Sequence, residues 1–470
     1  MKRMWAFIVL AGLCALAVGC GGNSSSSGSN NGSGTQNEAL FITGEDAPVS
    51  SVVGFDVTID SITLNNGTTT VNALSTPTAV DFGRLMGLRT LLGFNTIPQG
   101  TYNSVTFTFE NSNPAPSISY INLNTVPPSA NTLTGSFSQT TVTVPFPNAK
   151  PLVVGTSGLA GLHIDFDLRD SLVTDNSGQI TGVINPVLTV MAVSATDAVG
   201  QITEYTGNIV SVNTSGNSFV MQGPYGFQTT INVNAKTLYN GTNTLNSLVT
   251  DSIVSVIGTV QADGSLLANC VEQITTDKAF ISGRVLAVNP TSGPVQSVTM
   301  WVGEELGTSS IIPVDMVTTL NLNGVSNYDV CFFDNFLTQQ VFNESSLVVG
   351  QRIFVGGTVT NGTFTPDMVS LRRQGVVGQL VSGSVTVTGG AGSNLGYYQM
   401  QNDALMSYSA GGPFTVYTTN LTTFENIDGL SGLASAGTPH LISRGLVFKD
   451  PVSSKPVVVA GHVRVLLAQQ

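Results

Sequence analysis

Charged side chains are scarce in this chain, and their scarcity excludes several classes of protein. Only 9% of the 470 residues are Asp, Glu, Lys or Arg, against roughly 25% in ordinary soluble domains. The net charge of −12 repels phosphate backbones, so we expect no nucleic-acid partner. The 51 Gly and the many Thr, Ser and Asn favour strand faces and tight turns rather than long solvated helices.

Histidine is also rare, which limits the catalytic chemistry that the chain can carry out. A base that activates a Ser or Cys nucleophile would have to be His163, His440 or His462. No G-x-S-x-G nucleophile elbow occurs, and no pair of carboxylates stands out as a glycosidase pair. The sequence therefore predicts no catalytic residues, and we expect the protein not to be an enzyme.

Two of the four cysteines, Cys270 and Cys331, lie far from the N-terminal segment. An oxidising compartment would allow a disulfide between them, but they fall in different predicted repeats and nothing in the sequence fixes their separation. We expect two buried free thiols, and a bridge between them stays open.

The first 20 residues have the layout of a secretory signal, with a positive start and a charge-free run over residues 4–19. The small residues before Cys20 resemble the lipobox of bacterial lipoproteins. That resemblance implies cleavage before Cys20 and lipidation of Cys20, and Gly21 resembles outer-membrane sorting. A plain secretory signal or a membrane helix is the alternative, although the apolar run is short for a span.

Residues 21–37 are all Gly, Ser, Asn, Thr or Gln. Such a composition predicts a flexible tether, which a lipid-anchored protein needs and a packed helix does not. We therefore expect a protein bound to the membrane through a lipid anchor, in the cell envelope and at the outer membrane or cell surface.

Residues 38–196 are predicted to form a Greek-key β-sandwich. Apolar and polar residues alternate over Phe55–Asp60, Val105–Phe109 and Leu162–Leu168, as in half-buried strands. Asn66 and Gly67 between strands predict a hairpin. One short helix is expected, capped by Asp81, because leucines fall at helical spacing before Gly93.

Three segments of this region carry a family resemblance. Residues 43–48 are similar to a T-D-A-P opening, residues 97–102 to a P-x-G-x-Y stretch, and residues 162–168 to an L-x-D-F-D strand. Together with the leucine-rich residues 80–93, they resemble an uncharacterised domain family of bacterial lipoproteins. That family has no established activity, so the resemblance implies a fold and no mechanism.

The rest of the chain is predicted to consist of three repeats, over residues 203–275, 279–373 and 375–467. Residues 207–213 parallel residues 283–289, and a Gly-Thr-Val strand followed by a turn recurs in the first two repeats. Units of five or six short strands favour small closed barrels, because closure removes sheet edges. The repeats resemble tandem OB-like modules of unknown function, and Trp301 is expected to lie in a core.

The strongest candidate for a metal site is the strand after Gly161. His163, Asp165 and Asp167 alternate along it, so all three project to one side of what we expect to be a solvated face. Carboxylates and imidazole bind divalent cations, and calcium is the expected ion. The alternative is an ordinary polar strand face, and we expect no other cofactor.

The sequence thus predicts a non-catalytic cell-envelope lipoprotein with a binding, scaffolding or surface-structural role. The expected partner, beyond the membrane, is an envelope protein or glycan. Two alternatives stay open: an envelope glycan-binding or hydrolytic subunit of an uptake system, and a calcium-stiffened adhesin. A pocket lined by converging carboxylates would favour the first of these alternatives.

Overall fold

A computed structural model describes most of the chain beyond the predicted tether. The described residues are 37–466, except for 48–51, 75, 86–87, 123–124, 126–128, 148–149, 156–158, 177–178, 198–199, 225, 241–242, 277–278, 331–341, 391 and 403–412. The predicted signal segment with its lipidation site Cys20, nearly all of the predicted tether 21–37, and Cys331 lie outside them.

The first sixteen strands belong to the region predicted as a sandwich. Their bounds are β1 Asn37–Ala47, β2 Val52–Asn65, β3 Thr70–Asn72, β4 Thr78–Asp81, β5 Thr90–Pro98, β6 Gly100–Tyr102, β7 Ser104–Phe109, β8 Ser117–Asn122, β9 Ser129–Thr134, β10 Ser136–Phe137, β11 Thr141–Pro145, β12 Leu152–Val154, β13 Ala160–Asp167, β14 Leu172–Thr174, β15 Ile180–Ile184 and β16 Leu188–Ser194. A short helix α1, Leu168–Ser171, follows β13.

Two larger sheets of this region pack on a shared apolar core. One has the order β16-β13-β1-β5, and the other β11-β7-β2-β8-β9, with β3 and β4 also paired to β2. Phe166 on β13 contacts Phe55 and Phe109 of the facing sheet, with ring centroids 5.2 and 5.8 Å apart in edge-to-face geometry. Such aromatic pairs add to the burial of their area and hold the two layers together.

The helix predicted before Gly93 is wrong. In the described part of this segment, a 3-10 turn, Phe82–Leu85, follows Asp81, whose Oδ1 accepts a hydrogen bond from the Arg84 amide at 3.2 Å. Leu91 and Leu92 lie instead at the start of β5, where the strand is buried on both faces, and they enter two different cores. A strand covered on both sides needs consecutive apolar residues, and these mimic helical spacing.

The remaining strands form three six-stranded sheets, here called the first, second and third repeats. The first contains β17 Ile202–Asn213, β18 Ser218–Gln222, β19 Gln228–Asn232, β20 Leu238–Tyr239, β21 Ile253–Val260 and β22 Leu266–Thr275. The second contains β23 Ala279–Asn289, β24 Ser297–Leu306, β25 Val317–Asn321, β26 Asn327–Asp329, β27 Arg352–Thr360 and β28 Thr363–Leu371. The third contains β29 Arg373–Leu380, β30 Thr386–Val387, β31 Gly396–Asn402, β32 Phe414–Glu425, β33 His440–Lys449 and β34 Pro456–Val465, with helix α2 Gly429–Ser435.

The first two repeats share one strand order, whereas the third has the order β29-β33-β34-β32-β31-β30. In the first and second, the orders β19-β18-β17-β21-β22-β20 and β25-β24-β23-β27-β28-β26 correspond strand for strand. In the first repeat β19 also pairs with β22, and in the third β29 pairs with both β33 and β31, so these sheets close on themselves. The predicted fold class, all-β with a sandwich followed by tandem barrel-like sheets, is confirmed.

Two further features concern individual segments. Cys270 on β22 is disulfide-bonded, so the expectation of a free thiol at this position is wrong; its partner lies outside the described residues. Within the described part of the chain, no helix has the length and apolar character that crossing a membrane requires.

Apolar cores continue across the boundaries between the sandwich and the repeats. Phe41 and Leu91 of the sandwich share a core with Tyr205 of the first repeat, and Leu446 and Val459 of the third repeat complete the core of the second. The sandwich and the three repeats are therefore packed against one another and are not separate domains joined by linkers.

Trp301 is the largest side chain at such a boundary. It lies on β24, is 3% exposed, and packs with Val53 and Ile121 of the sandwich and with Leu286 of its own repeat. A Cβ atom at Gly54 would lie 3.3 Å from the Trp301 ring, so this glycine allows the ring to lie close against the sandwich. The indole is thus a wedge between the sandwich and the second repeat.

Replacing this wedge should destabilise the folded chain. We expect Trp301→Ala to lower the free energy of unfolding by about 3–5 kcal/mol, because a buried aromatic ring is lost and a cavity is left. Urea unfolding followed by circular dichroism measures the change. Tyr397→Ala, which removes an aromatic ring that is 37% exposed, is the matched control and should shift the midpoint little. Equal shifts for the two variants would contradict this role for Trp301.

Candidate functional site

The predicted metal-binding strand is not on a solvated face. β13 lies between β1 and β16, and His163 and Asp165 are 2% and 4% exposed. Their face of the strand points away from the Phe166 side and is covered by the third repeat, which supplies Arg444 and Arg464. The expectation of a solvated face is therefore wrong for these two residues.

His163 is held as a neutral group among polar partners. Its Nδ1 lies 3.0 Å from Thr43 Oγ1, and its Nε2 lies 3.7 Å from Glu45 Oε2. Burial, followed by the nearby Arg89 and Arg464 cations, lowers the pKa of His163 to about 3. The imidazole is uncharged at neutral pH and acts as a hydrogen-bonding group within the boundary.

The neighbouring carboxylates are paired with arginines. Glu45 forms an ion pair with Arg444 of the third repeat and lies 3.6 Å from Arg89 Nε. Asp165 accepts from Arg464 Nη1 at 2.9 Å. We call Glu45, Arg89, His163, Asp165 and their partners Arg444 and Arg464 the sandwich seam.

Asp167, the third predicted ligand, caps helix α1 by accepting from the Asp170 amide at 3.0 Å. Burial raises the pKa of Asp167 to about 6. Among the residues that the structure describes, no group of three or more His, Cys, Asp or Glu side chains is placed to hold a metal ion. The metal site at His163, Asp165 and Asp167 stays a prediction, and the observed contacts favour ion pairing in its place.

A second cluster of buried charges joins the first repeat to the second. The Glu204 carboxylate on β17 accepts two hydrogen bonds from Arg352, at 2.7 and 2.6 Å, in a bidentate pair. It also accepts one from Arg372 Nη2 at 2.9 Å. Arg372 also forms an ion pair with the fully buried Glu272 of β22 and donates to Ser255 Oγ at 2.6 Å. We call Glu204, Glu272, Arg352 and Arg372 the repeat seam.

The arginines of the repeat seam outweigh burial at Glu204, whereas at the fully buried Glu272 burial outweighs Arg372 and raises the pKa of that carboxyl. Burial by itself would raise the pKa of Glu204, but Arg352 and Arg372 outweigh burial and lower this pKa to about 2. Both guanidinium groups also lie over the Phe354 ring, 4.9 and 4.0 Å from its centroid. Cation–π contact and bidentate pairing offset part of the cost of removing these charges from water.

A cleft of about 440 Å³ opens where the sandwich, the first repeat and the second repeat meet. The sandwich contributes Asp56, Asp81 and Arg84 to its wall, and the first repeat contributes Asn208 and Gln222. The second repeat contributes Phe280, Glu304, Glu305, Leu306 and Val314. Its size and its place between packed units are typical of small-molecule sites.

The sandwich wall of the cleft is acidic. Asp56 on β2 and Asp81 on β4 are direct partners in the antiparallel register, so their carboxylates are neighbours. Loss of solvation, together with the nearby Asp81 carboxylate, raises the pKa of Asp56 above its ordinary range, and burial raises that of Asp81. Arg84 Nη1 lies 2.8 Å from Glu304 Oε2 and ties this wall to the second repeat.

The base and the mouth of the cleft are apolar. Phe280 and Ile253 are buried apolar lining residues, whereas Leu306 and Val314 at its rim are 42% and 44% exposed. The cleft therefore combines carboxylates, amides and apolar surface within one concave site.

Sequence reasoning missed this cleft. Asp56 and Asp81 each occupy a polar position of an alternating strand, where a carboxylate is commonplace, and they are 25 positions apart (81 − 56). The two aspartates are recognised as neighbours only when β2 is paired with β4. That pairing does not reveal that the second repeat completes the wall of the cleft.

The chain is similar to known proteins in part of its length. Residues 41–181 match the family model described as Domain of unknown function (DUF4382), which covers less than half of the chain and agrees with the resemblance of the first domain to an uncharacterised family. No curated protein matches the chain.

One solved structure that is similar to the chain belongs to a multidomain protein with nucleic acid binding domains from Streptococcus pneumoniae TIGR4. It is 10% identical, and the match covers 57% of this chain and 74% of that chain with a TM-score of 0.12. A likeness with this TM-score establishes neither a shared fold nor a shared function.

The repeat seam can be tested by removing one charge or a charge pair. We expect Arg372→Met to lower the free energy of unfolding by about 3–5 kcal/mol, because Glu272 is then buried without its partner. Arg372→Met combined with Glu272→Met should recover most of this loss in urea unfolding. Arg169→Met, at an exposed position of α1, is the control. A double variant less stable than Arg372→Met would contradict charge pairing at this seam.

The sandwich seam predicts a pH dependence through His163. Its folded pKa of about 3 lies below the unfolded value of about 6.5, so its contribution to stability is complete above pH 6.5 and is lost as the pH falls toward 3. We expect the difference in unfolding free energy between the native chain and His163→Gln to shrink by about 1.4 kcal/mol per pH unit across this window. His440→Gln is the matched control. A difference independent of pH would disprove a buried neutral imidazole.

Proposed function

We propose that this protein is a non-catalytic lipoprotein of the bacterial cell envelope that binds a ligand in the cleft between the sandwich and the first two repeats. The observation that carries the proposal is a preformed cleft whose walls come from three packed parts of the chain. Binding sites concentrate at such junctions, because rigid neighbours hold their side chains in place before the ligand arrives.

The lining of the cleft supports binding rather than nucleophilic catalysis. None of the described residues that line it is His, Cys or Ser, and the Thr206 hydroxyl, which does line it, donates to Ser255 Oγ at 3.4 Å. His163 is sealed in the sandwich seam, and His462 Nε2 lies 3.2 Å from Glu425, which is paired with Arg464. A nucleophile with its base within hydrogen-bond reach is what acyl transfer requires.

A glycan-binding or hydrolytic subunit of an uptake system is the second candidate. The carboxylates that converge in the cleft favour it over a purely structural role. Glycosidases place their two carboxylates on either side of the scissile bond. Asp56 and Asp81 instead project side by side from paired strands, which favours binding over hydrolysis.

The sequence of the N-terminal segment supports attachment to a membrane. Lipidation at Cys20 would leave residues 21–37 as a flexible tether with a root-mean-square reach of roughly 20–25 Å. Acyl chains contribute about 0.8 kcal/mol per buried CH₂, so more than one chain anchors a protein stably. The proposed protein is then held near the outer membrane or cell surface, where an envelope protein or glycan is its expected partner. The repeats, as OB-like modules, would support the cleft.

Attachment is tested by labelling and fractionation. We expect the native chain, expressed in a Gram-negative host, to incorporate radiolabelled palmitate and to sediment with outer membranes. Cys20→Ser should lose both the label and the membrane association, because the acylated thiol is absent. Cys14→Ser is the matched control, since it removes a cysteine from the same segment and should keep both properties. A labelled Cys20→Ser protein would exclude this site of lipidation.

A further inference from the structure

We propose that the ligand of the cleft is a small organic cation, an amine or guanidinium compound with a short apolar group. This proposal rests on the binding role put forward above and specifies the chemistry of the ligand. It follows from the charge, the hydrogen-bonding capacity and the apolar surface of the cleft.

When its carboxylates are ionised, the described lining of the cleft carries more negative than positive charge. Asp56, Asp81, Glu304 and Glu305 contribute carboxylates, while Arg84 contributes a cation that is already paired with Glu304. Asp315 adds further negative potential beside Asp56. A concave site with an excess of one sign of charge concentrates ligands of the opposite sign.

Asp56 has the most acceptor capacity left for a ligand. Asp81 Oδ1 accepts from the Phe55 and Arg84 amides at 2.8 and 3.2 Å, and Glu305 Oε2 accepts from the Thr308 amide at 2.9 Å. Asp56, in contrast, accepts one hydrogen bond among the described residues, from Ser117 Oγ at 3.3 Å. A carboxylate offers about four acceptor positions, so an N–H donor can bind Asp56 without displacing a protein group.

A cation would also remove an unfavourable interaction within the wall. The carboxylates of Asp56 and Asp81 are cross-strand neighbours and repel each other when both are ionised. A positive group between them stabilises both ionised forms. A neutral or anionic ligand does not, so the wall discriminates by charge.

The arrangement favours an organic cation over a metal ion. Calcium takes 6–8 oxygen ligands, and no group of three or more acidic, His or Cys side chains suited to a metal occurs among the described residues. An ammonium or guanidinium group needs only a few directed acceptors, which Asp56 and the Asn208 and Gln222 side chains of the first repeat supply.

The apolar rim specifies the other end of the ligand. Leu306 and Val314 line the cleft and are 42% and 44% exposed, and Phe280 lies deeper within it. Burying a short alkyl or aromatic group against these side chains is favourable in proportion to the area removed from water. Charge at one end and apolar surface at the other define an amphipathic cation.

The test is calorimetric titration of the full-length protein in phosphatidylcholine nanodiscs, with empty nanodiscs as the blank. The probes are hexylammonium, hexanol and hexanoate, which share a chain and differ in charge. We expect one hexylammonium site, with the other two probes at least tenfold weaker. Asp56→Asn should weaken hexylammonium binding about tenfold, whereas Asp60→Asn, which removes the same charge from the same strand outside the cleft, should not.

A second variant keeps the test decisive if Asp56→Asn folds poorly. Leu306→Arg changes an exposed rim residue and places a guanidinium at the acidic wall, so it should abolish hexylammonium binding without lowering the melting temperature. Hexanol or hexanoate binding as tightly as hexylammonium would overturn the cation assignment and leave a ligand-binding cleft standing. If calcium displaced hexylammonium at a lower calcium concentration than hexylammonium itself needs for binding, and Asp56→Asn removed this competition, the assignment would be overturned in favour of a metal ion. If none of the probes bound saturably, the cation assignment would be overturned and the binding role would lose its support. Palmitate labelling at Cys20 tests the lipid anchor separately.

Discussion

Ion pairs buried between the parts of the chain are the constraint on which the rest of the structure depends. In a protein with so few charges, Glu204, Glu272 and Glu45 lie almost out of contact with water and meet arginines from later parts of the chain. Withdrawing such groups from water costs several kcal/mol per ion, and only the opposite charge, held with good geometry, compensates. Neither sheet can therefore turn away from its neighbour without exposing a charge pair or burying a lone charge, and the seams fix how the sheets are arranged.

The cleft is a consequence of this arrangement. Asp56 belongs to the sandwich, Asn208 to the first repeat and Glu304 to the second, so their relative positions depend on how the three parts pack. The Trp301 wedge and the Arg84–Glu304 pair hold the second repeat against the sandwich, and the repeat seam holds it against the first repeat. A ligand then meets groups that are already in place, which reduces the entropy lost on binding.

Alternation along the sequence was sufficient to predict the fold class but not the seams or the cleft. Strands such as β7 and β13 follow from residues that alternate between core and opposite face. The pattern does not reveal what covers the opposite face. Asp165 looks like a solvated carboxylate until Arg464, 299 positions later, is placed over it. Leu91 and Leu92 in β5 led to a wrong helix prediction for the same reason, since both faces of the strand are covered where these two leucines lie.

The buried ion pairs also discriminate between the native packing of the repeats and alternative packings. Six-stranded sheets with similar apolar faces could pack on one another in several wrong combinations, because an apolar contact is not directional. The repeat seam needs carboxylates at Glu204 and Glu272 of the first repeat and arginines at Arg352 and Arg372 beside the second. A wrong pairing of sheets would bury one sign of charge without the other, at a cost of about 3–5 kcal/mol for each broken pair. The penalty falls on the mispaired states far more than on the native one, so these charges discriminate between arrangements even where their net contribution to stability is small.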